Sequence, residues 1–153
     1  MIGNKAALKK VDDIQSVKIG EETVKLSKSA TNIGLLIDEN LNLSKHVNSV
    51  TKTCYLHLCQ ISQIRHYLNN DVTAKLVCCL VLSRLDYVNS VLFGLPDVLI
   101  NKLQMVQNNA ARLVMKKKKC EHVTPLLKHL HWLPIRKRIE FKILLITFEA
   151  LHG

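Results

Sequence analysis

The sequence has no Gly-rich phosphate loop and no His-Glu-x-x-His motif. Their absence removes the usual signatures of NTPases and zinc proteases. Met1 is followed by Ile-Gly-Asn-Lys and not by an apolar run, so no secretory leader is read there. The longest apolar stretches, such as Leu76 to Leu82, are too short to span a bilayer, and no membrane partner is expected. Five cysteines, an odd number without a secretory signal, point to reduced thiols in a cytosolic or nuclear protein. There is no internal repeat and no Gly/Ser linker. The one low-complexity segment is Lys116 to Lys119. Acidic residues are the scarce charge, with 12 Asp/Glu against 22 Lys/Arg.

What is present is enough to fold. A chain of 153 residues, 48% hydrophobic, can bury a real core. Its net charge of +10 is unevenly placed: residues 112–153 hold ten Lys/Arg and three Asp/Glu, and so +7 of the total. A basic half of this kind suggests a polyanionic partner, nucleic acid before membrane.

The first 43 residues read as β. Ser16-Val17-Lys18-Ile19 and Thr23-Val24-Lys25-Leu26 alternate polar with apolar around a Gly20-Glu21 turn. Thr31 to Asp38 is an apolar run that reads as one buried strand. From Ser44 onward the chain reads as helical. Val47, Val50, Cys54, Leu58, Ile61, Ile64 and Leu68 form one stripe at steps of three and four. Asp71 is placed to cap a second helix, Val72 to Leu92, apolar nearly all round and therefore expected to be central. Gly94-Leu95-Pro96 breaks it. Leu99, Leu103, Val106, Ala110 and Leu113 mark a third helix that the lysine run ends. Thr124-Pro125 starts a short helix, and Trp132-Leu133-Pro134 turns the chain into a last one from Ile135 to Leu151. The expected fold is mainly α: a bundle of four to five helices (44–153) with a small N-terminal β-hairpin or strand piece (1–43).

Several constellations look chemical and have plainer readings. Cys54, His57 and Cys59 lack the spacing and the fourth ligand of a structural zinc site, and Cys120-Glu121-His122 adds no second pair. Cys120 and His122 lack an orienting third group for nucleophilic catalysis. Asp12-Asp13, among lysines and with no apolar strand before it, reads as a solvated turn. No catalytic or metal-binding residue is therefore assigned. Arg84 and Asp86, inside the most apolar helix, read as a structural ion pair with a neighbouring helix, Arg84 being alternatively a nucleic-acid contact. Trp132 either stacks on a base or plugs the core, the plug being favoured.

The candidate nucleic-acid-binding residues are Arg112, Lys116, Lys117, Lys118, Lys119, Arg136, Lys137 and Arg138. Arg112 and Lys116 are four apart on one helix, and the lysines continue into a loop. Arg136 to Arg138 occupy the first turn of the last helix, where the macrodipole opposes cations. Phosphate is one reason to keep them there.

Taken together, SATNIGLLIDENLNLSKHV, ISQIRHYL, LVLSRLDYVNSVLFGLP, INKLQMVQNNAARLV and HVTPLLKHLHWLPIRKRIEFKILLITFEALHG resemble the C-terminal part of the reverse transcriptase of non-LTR retrotransposons. The likeness is to LINE elements of the chicken-repeat and jockey-like group, and it covers nearly the whole chain. It implies a primer-grip strand at Asn32-Ile33-Gly34-Leu35, then a helical thumb and its extension. It also implies a template–primer duplex of RNA and DNA as partner, held by its phosphates. The family's catalytic aspartates, in a Phe/Tyr-Ala-Asp-Asp turn, have no counterpart here, so no magnesium or other cofactor is expected in this piece. Met1-Ile2-Gly3 resembles the segment that follows that turn, and a fragment at both ends is expected, its exposed palm-facing surface open to self-association. Four consecutive lysines at 116–119 are denser than the mixed Arg/Thr/Lys usual in the family.

Overall fold

The computed structural model describes residues 16–25, 27 and 29–153. Asp12-Asp13, Met1-Ile2-Gly3 and Leu26 lie outside the described residues. The chain divides into two compact units, Met1–His46 and Val47–Gly153. It is mainly helical with a small β piece near the N-terminus.

The β piece is two separate hairpins. β1 (Ser16–Ile19) pairs antiparallel with β2 (Glu22–Lys25), joined by Gly20-Glu21 as the alternation predicts. β3 (Ser29–Asn32) pairs with β4 (Leu35–Asp38), with Asn32 opposite Leu35. The single buried strand expected over 31–38 is thus corrected to a hairpin. Ile33 and Gly34 form its two-residue turn, both at positive φ, 47° and 75°. Such a turn matches the twist of the flanking strands.

α1 (Ser44–Ile64) ends in a 3-10 turn, Arg65–Tyr67. Its stripe buries Val47, Cys54, Leu58 and Ile61. α2 (Asn70–Val77) is capped by Asn69, whose side chain accepts from the Val72 amide; Asp71 lies inside the first turn. The expected helix to Leu92 does not run through. A π turn (Cys78–Leu82) and one α turn, α3 (Ser83–Asp86), follow α2. The chain then breaks at Val88, which is left-handed at φ 54°, before a 3-10 turn, Asn89–Leu92. Nor is this run the centre. Cys78, Cys79 and Leu80 are exposed.

The central helix is α4 (Asp97–Met115), which buries Leu99, Ile100, Leu103, Val106, Gln107, Ala110, Ala111 and Val114 and packs against α2, α5 (Thr124–His129) and α6 (Ile135–His152). Trp132 is buried between α5 and α6, 9% exposed, as the core-plug reading expects. The turn it occupies is tied to α4 by amides. Gln107, fully buried, donates to the Leu133 carbonyl, and Gln104 accepts from the Ile135 amide. Among the described residues, no helix is long and apolar enough to cross a membrane.

Candidate nucleic-acid interface

The lysine run starts where α4 ends, and a buried arginine fixes that end. A helix leaves its last carbonyls without partners. Here the Arg65 guanidinium, 6% exposed, donates to the carbonyls of Leu113 (2.9 Å) and Val114 (2.7 Å). It also reaches the Leu68 carbonyl (2.6 Å) and Asn70 Oδ1 (2.5 Å). Lys116 then turns the chain at φ 52°, and the Lys117 amide closes back on the Arg112 carbonyl at 2.9 Å. That is a helix-ending motif which usually uses Gly at the left-handed position.

Glu121 organises the loop that follows. Its carboxylate accepts from Lys117 Nζ at 3.0 Å and from the Lys118 amide at 3.1 Å. The hydrogen bond from Lys117, then that from the Lys118 amide, holds this carboxyl below the usual glutamate range. Arg112 is half-buried and donates to the Glu121 carbonyl, while its Nε is buried without a partner among the described residues. Lys116, Lys118 and Lys119 are exposed, and among the described residues their ammonium groups have no carboxylate partner.

The second basic group is arranged differently. Arg136 pairs with Asp97, Lys137 with Glu140 (2.7 Å) and Arg138 with Asp86. Arg138 also donates to the Leu133 carbonyl at 3.0 Å. These carboxylates give the three cations a structural reason to sit at a helix N-terminus, so phosphate is not needed to explain them. Asp86 does pair with a neighbouring helix, as expected, but at the surface; Arg84 is exposed and takes no part.

Asp97 opens α4 and Lys116 follows its end. Arg136 is held at the first residue of this helix, while Arg138 shares the Leu133 carbonyl with Gln107 in its middle. The Asn32-Ile33-Gly34-Leu35 segment is the tip of the second hairpin, with Ile33 80% exposed.

The thiols behave as core and surface groups. Cys54 is fully buried, and burial pushes its pKa up to about 11, against chemistry as a thiolate. His57 Nδ1 faces Gln60 at 3.2 Å, and Cys59 is exposed. Among the described residues no three His, Cys, Asp or Glu side chains come together.

Three residues that shape this region had no signal in the sequence reading: Arg65, Gln107 and Asn89. Asn89 is 6% exposed and its Oδ1 has no partner among the described residues. It lines a cleft of about 350 Å³ with Asp86, His131, Leu133, Arg138, Phe141 and Lys142. Only a buried Arg or amide inside a polar stretch hints at such roles, and spacing alone does not separate it from a surface residue.

No protein-family model, no curated protein and no solved structure matches the chain.

Proposed function

We propose that the chain is a nucleic-acid-binding thumb piece of a LINE-type reverse transcriptase, the RNA-directed DNA polymerase of a non-LTR retrotransposon. In this reading it acts inside the cell and has no polymerase activity alone, since the sequence has no Phe/Tyr-Ala-Asp-Asp turn. Magnesium belongs to the catalytic aspartates of the polymerase palm. The partner is an RNA/DNA template–primer gripped by phosphates, not read by base edges. The observation that carries the reading is the set of exposed ammonium groups at Lys116, Lys118 and Lys119, without a carboxylate partner among the described residues, presented beyond a helix end that Arg65 caps. Arg136, Lys137 and Arg138, already paired, contribute less.

The test is fluorescence anisotropy with a labelled RNA–DNA hybrid over a salt series. Changing Lys116, Lys118 and Lys119 to Gln should flatten the log–log salt slope by about 3, at roughly 0.9 per phosphate contact. Arg136→Gln with Lys137→Gln should change it by less than about 1. A folded sample that does not bind the hybrid sinks the proposal.

A second reading, a helical self-association module, is favoured by one observation. Phe141, Leu144, Phe148 and Leu151 follow one another at steps of three and four on α6, and each is more than half exposed.

A further inference from the structure

The two sequence stretches SRLDYVNS and LHWLPIRKRIEFK meet at the cleft lined by Asn89. Arg138, Phe141 and Lys142 come from one face of α6, at steps of three and four. Asp86 and Asn89 come from either side of the break at Val88. Its apolar lining comes from Leu133 and Phe141, both about half exposed.

The charged groups divide into two kinds. Arg138 and Asp86 neutralise each other, and Arg138 is further held by the Leu133 carbonyl. Lys142 and His131 have no side-chain partner among the described residues. Part of the lining is therefore a closed ion pair, while Lys142 and His131 add a cation and an imidazole without a side-chain partner among the described residues.

Asn89 is the unusual member. A buried amide oxygen without a partner costs free energy, and native proteins rarely keep one. The neighbouring Val88 is a β-branched residue at φ 54°, a conformation that is itself strained. Asn89 thus stands in the lining with its Oδ1 covered and, among the described residues, without a partner, beside a strained backbone. The terminal torsion of Asn is soft, so a small rotation can turn either its donor or its acceptor edge to the cleft.

We propose that this cleft holds one unpaired nucleotide of a bound strand. Its base lies against Phe141, with its polar edge on Asn89, and its phosphate lies against Lys142 and His131. The inference rests on the nucleic-acid reading above. The chemistry fits each part. Aromatic faces stack bases, Asn pairs donor and acceptor with a base edge, and a lone cation with an imidazole suits one phosphate. The volume is at the lower end of the range for small-ligand sites, as one nucleotide needs.

Two titrations test the cleft separately from the duplex grip. In the first, 2-aminopurine riboside 5′-monophosphate is added alone to the full chain. Saturable quenching in the millimolar range is expected, lost in Phe141→Ala and weakened in Lys142→Gln. Phe141 is 57% exposed, so its variant should fold, which circular dichroism checks. No quenching overturns the proposal. Inorganic phosphate competing as well as the nucleotide also overturns it, leaving a phosphate site only.

In the second, a blunt RNA–DNA hybrid is compared with one carrying a single 2-aminopurine overhang. The overhang should gain about tenfold in affinity. Phe141→Ala should abolish that preference and leave blunt-hybrid affinity and salt slope unchanged. An absent preference, or one that survives Phe141→Ala, overturns the cleft while the duplex grip stands. Quenching by the monophosphate without hybrid binding supports the cleft and removes the grip.

Discussion

Lys116 serves two purposes that pull against each other. Its ammonium is one of the free charges at the end of α4, but its backbone sits in the left-handed region, which costs a non-glycine residue about 1 kcal/mol or more. Lys116→Gly should therefore stabilise the fold by about 1 kcal/mol, raising Tm by roughly 2–4 °C. The same change should lower the salt slope of hybrid binding by about 0.9. Lys116→Ala removes the same charge and keeps the strain. Thermal scans that show equal Tm for the two variants would refute the strain argument. Arg65 carries the opposite lesson: it is a cation spent wholly inside. Arg65→Met removes the guanidinium from which the Leu113, Val114 and Leu68 carbonyls accept. Each charged hydrogen bond is worth about 1.5–3 kcal/mol, so a loss of about 3 kcal/mol or more is expected in urea unfolding. A loss near zero would mean that water replaces the guanidinium freely.

At the scale of elements, the link from β4 into α1 is a polar knot. Asp38, 4% exposed, accepts from the amides of Asn40 (3.0 Å) and Asn42 (3.2 Å), and His46 Nδ1 accepts from the Leu36 amide at 3.3 Å. Burial lowers the His46 pKa from its ordinary 6.5. The folded value thus lies below the unfolded one, so the stabilisation is complete above pH 6.5 and is lost as pH falls through the folded value. Protonation also turns the acceptor at Nδ1 into a donor and breaks the bond to Leu36. Amide exchange at Leu36 should accelerate as pH falls below 6.5, beyond the intrinsic change, and His46→Gln should remove that extra dependence. Exchange that follows the intrinsic rate alone would exclude the mechanism. The elements themselves were unevenly legible. The α1 and α4 stripes were readable because Cys54, Leu58 and Ile61, or Leu103, Val106 and Ala110, repeat at the helical period and are buried at it. The Ile33-Gly34 turn was not, because a β-branched residue stands where Asn is usual and the apolar run conceals the break. The break at Val88 has neither Gly nor Pro to announce it. The ion pairs of the candidate site join residues 39 and 52 positions apart, so Arg136 and Arg138 looked free when read along the chain. The lysine loop, local in sequence and exposed, was readable as it stands.

At the scale of the whole molecule, among the described residues, exposed lysines and an exposed apolar stripe both remain to be accounted for. The unpaired lysines follow the C-terminal end of α4. The outer half of α6 exposes Leu144 at 67%, Phe148 at 59% and Leu151 at 75%. Both lie in the unit Val47–Gly153. A stripe of this kind, wider than scattered surface leucines, drives association unless something covers it. Its steps of three and four make it a seam that a second copy can match with the same residues. Net charge of +10 opposes that contact at low salt, and screening relieves it. Sedimentation velocity should therefore show larger species as protein or salt concentration rises, and Leu144→Glu with Phe148→Glu should restore a monomer. Hybrid binding has the opposite salt dependence, since each phosphate contact weakens as salt rises. The two behaviours can thus be separated in one salt series: binding that falls while size grows assigns the lysine loop to nucleic acid and the α6 stripe to self-contact. A chain that stays monomeric at high salt and high concentration removes the seam and leaves the stripe without that role.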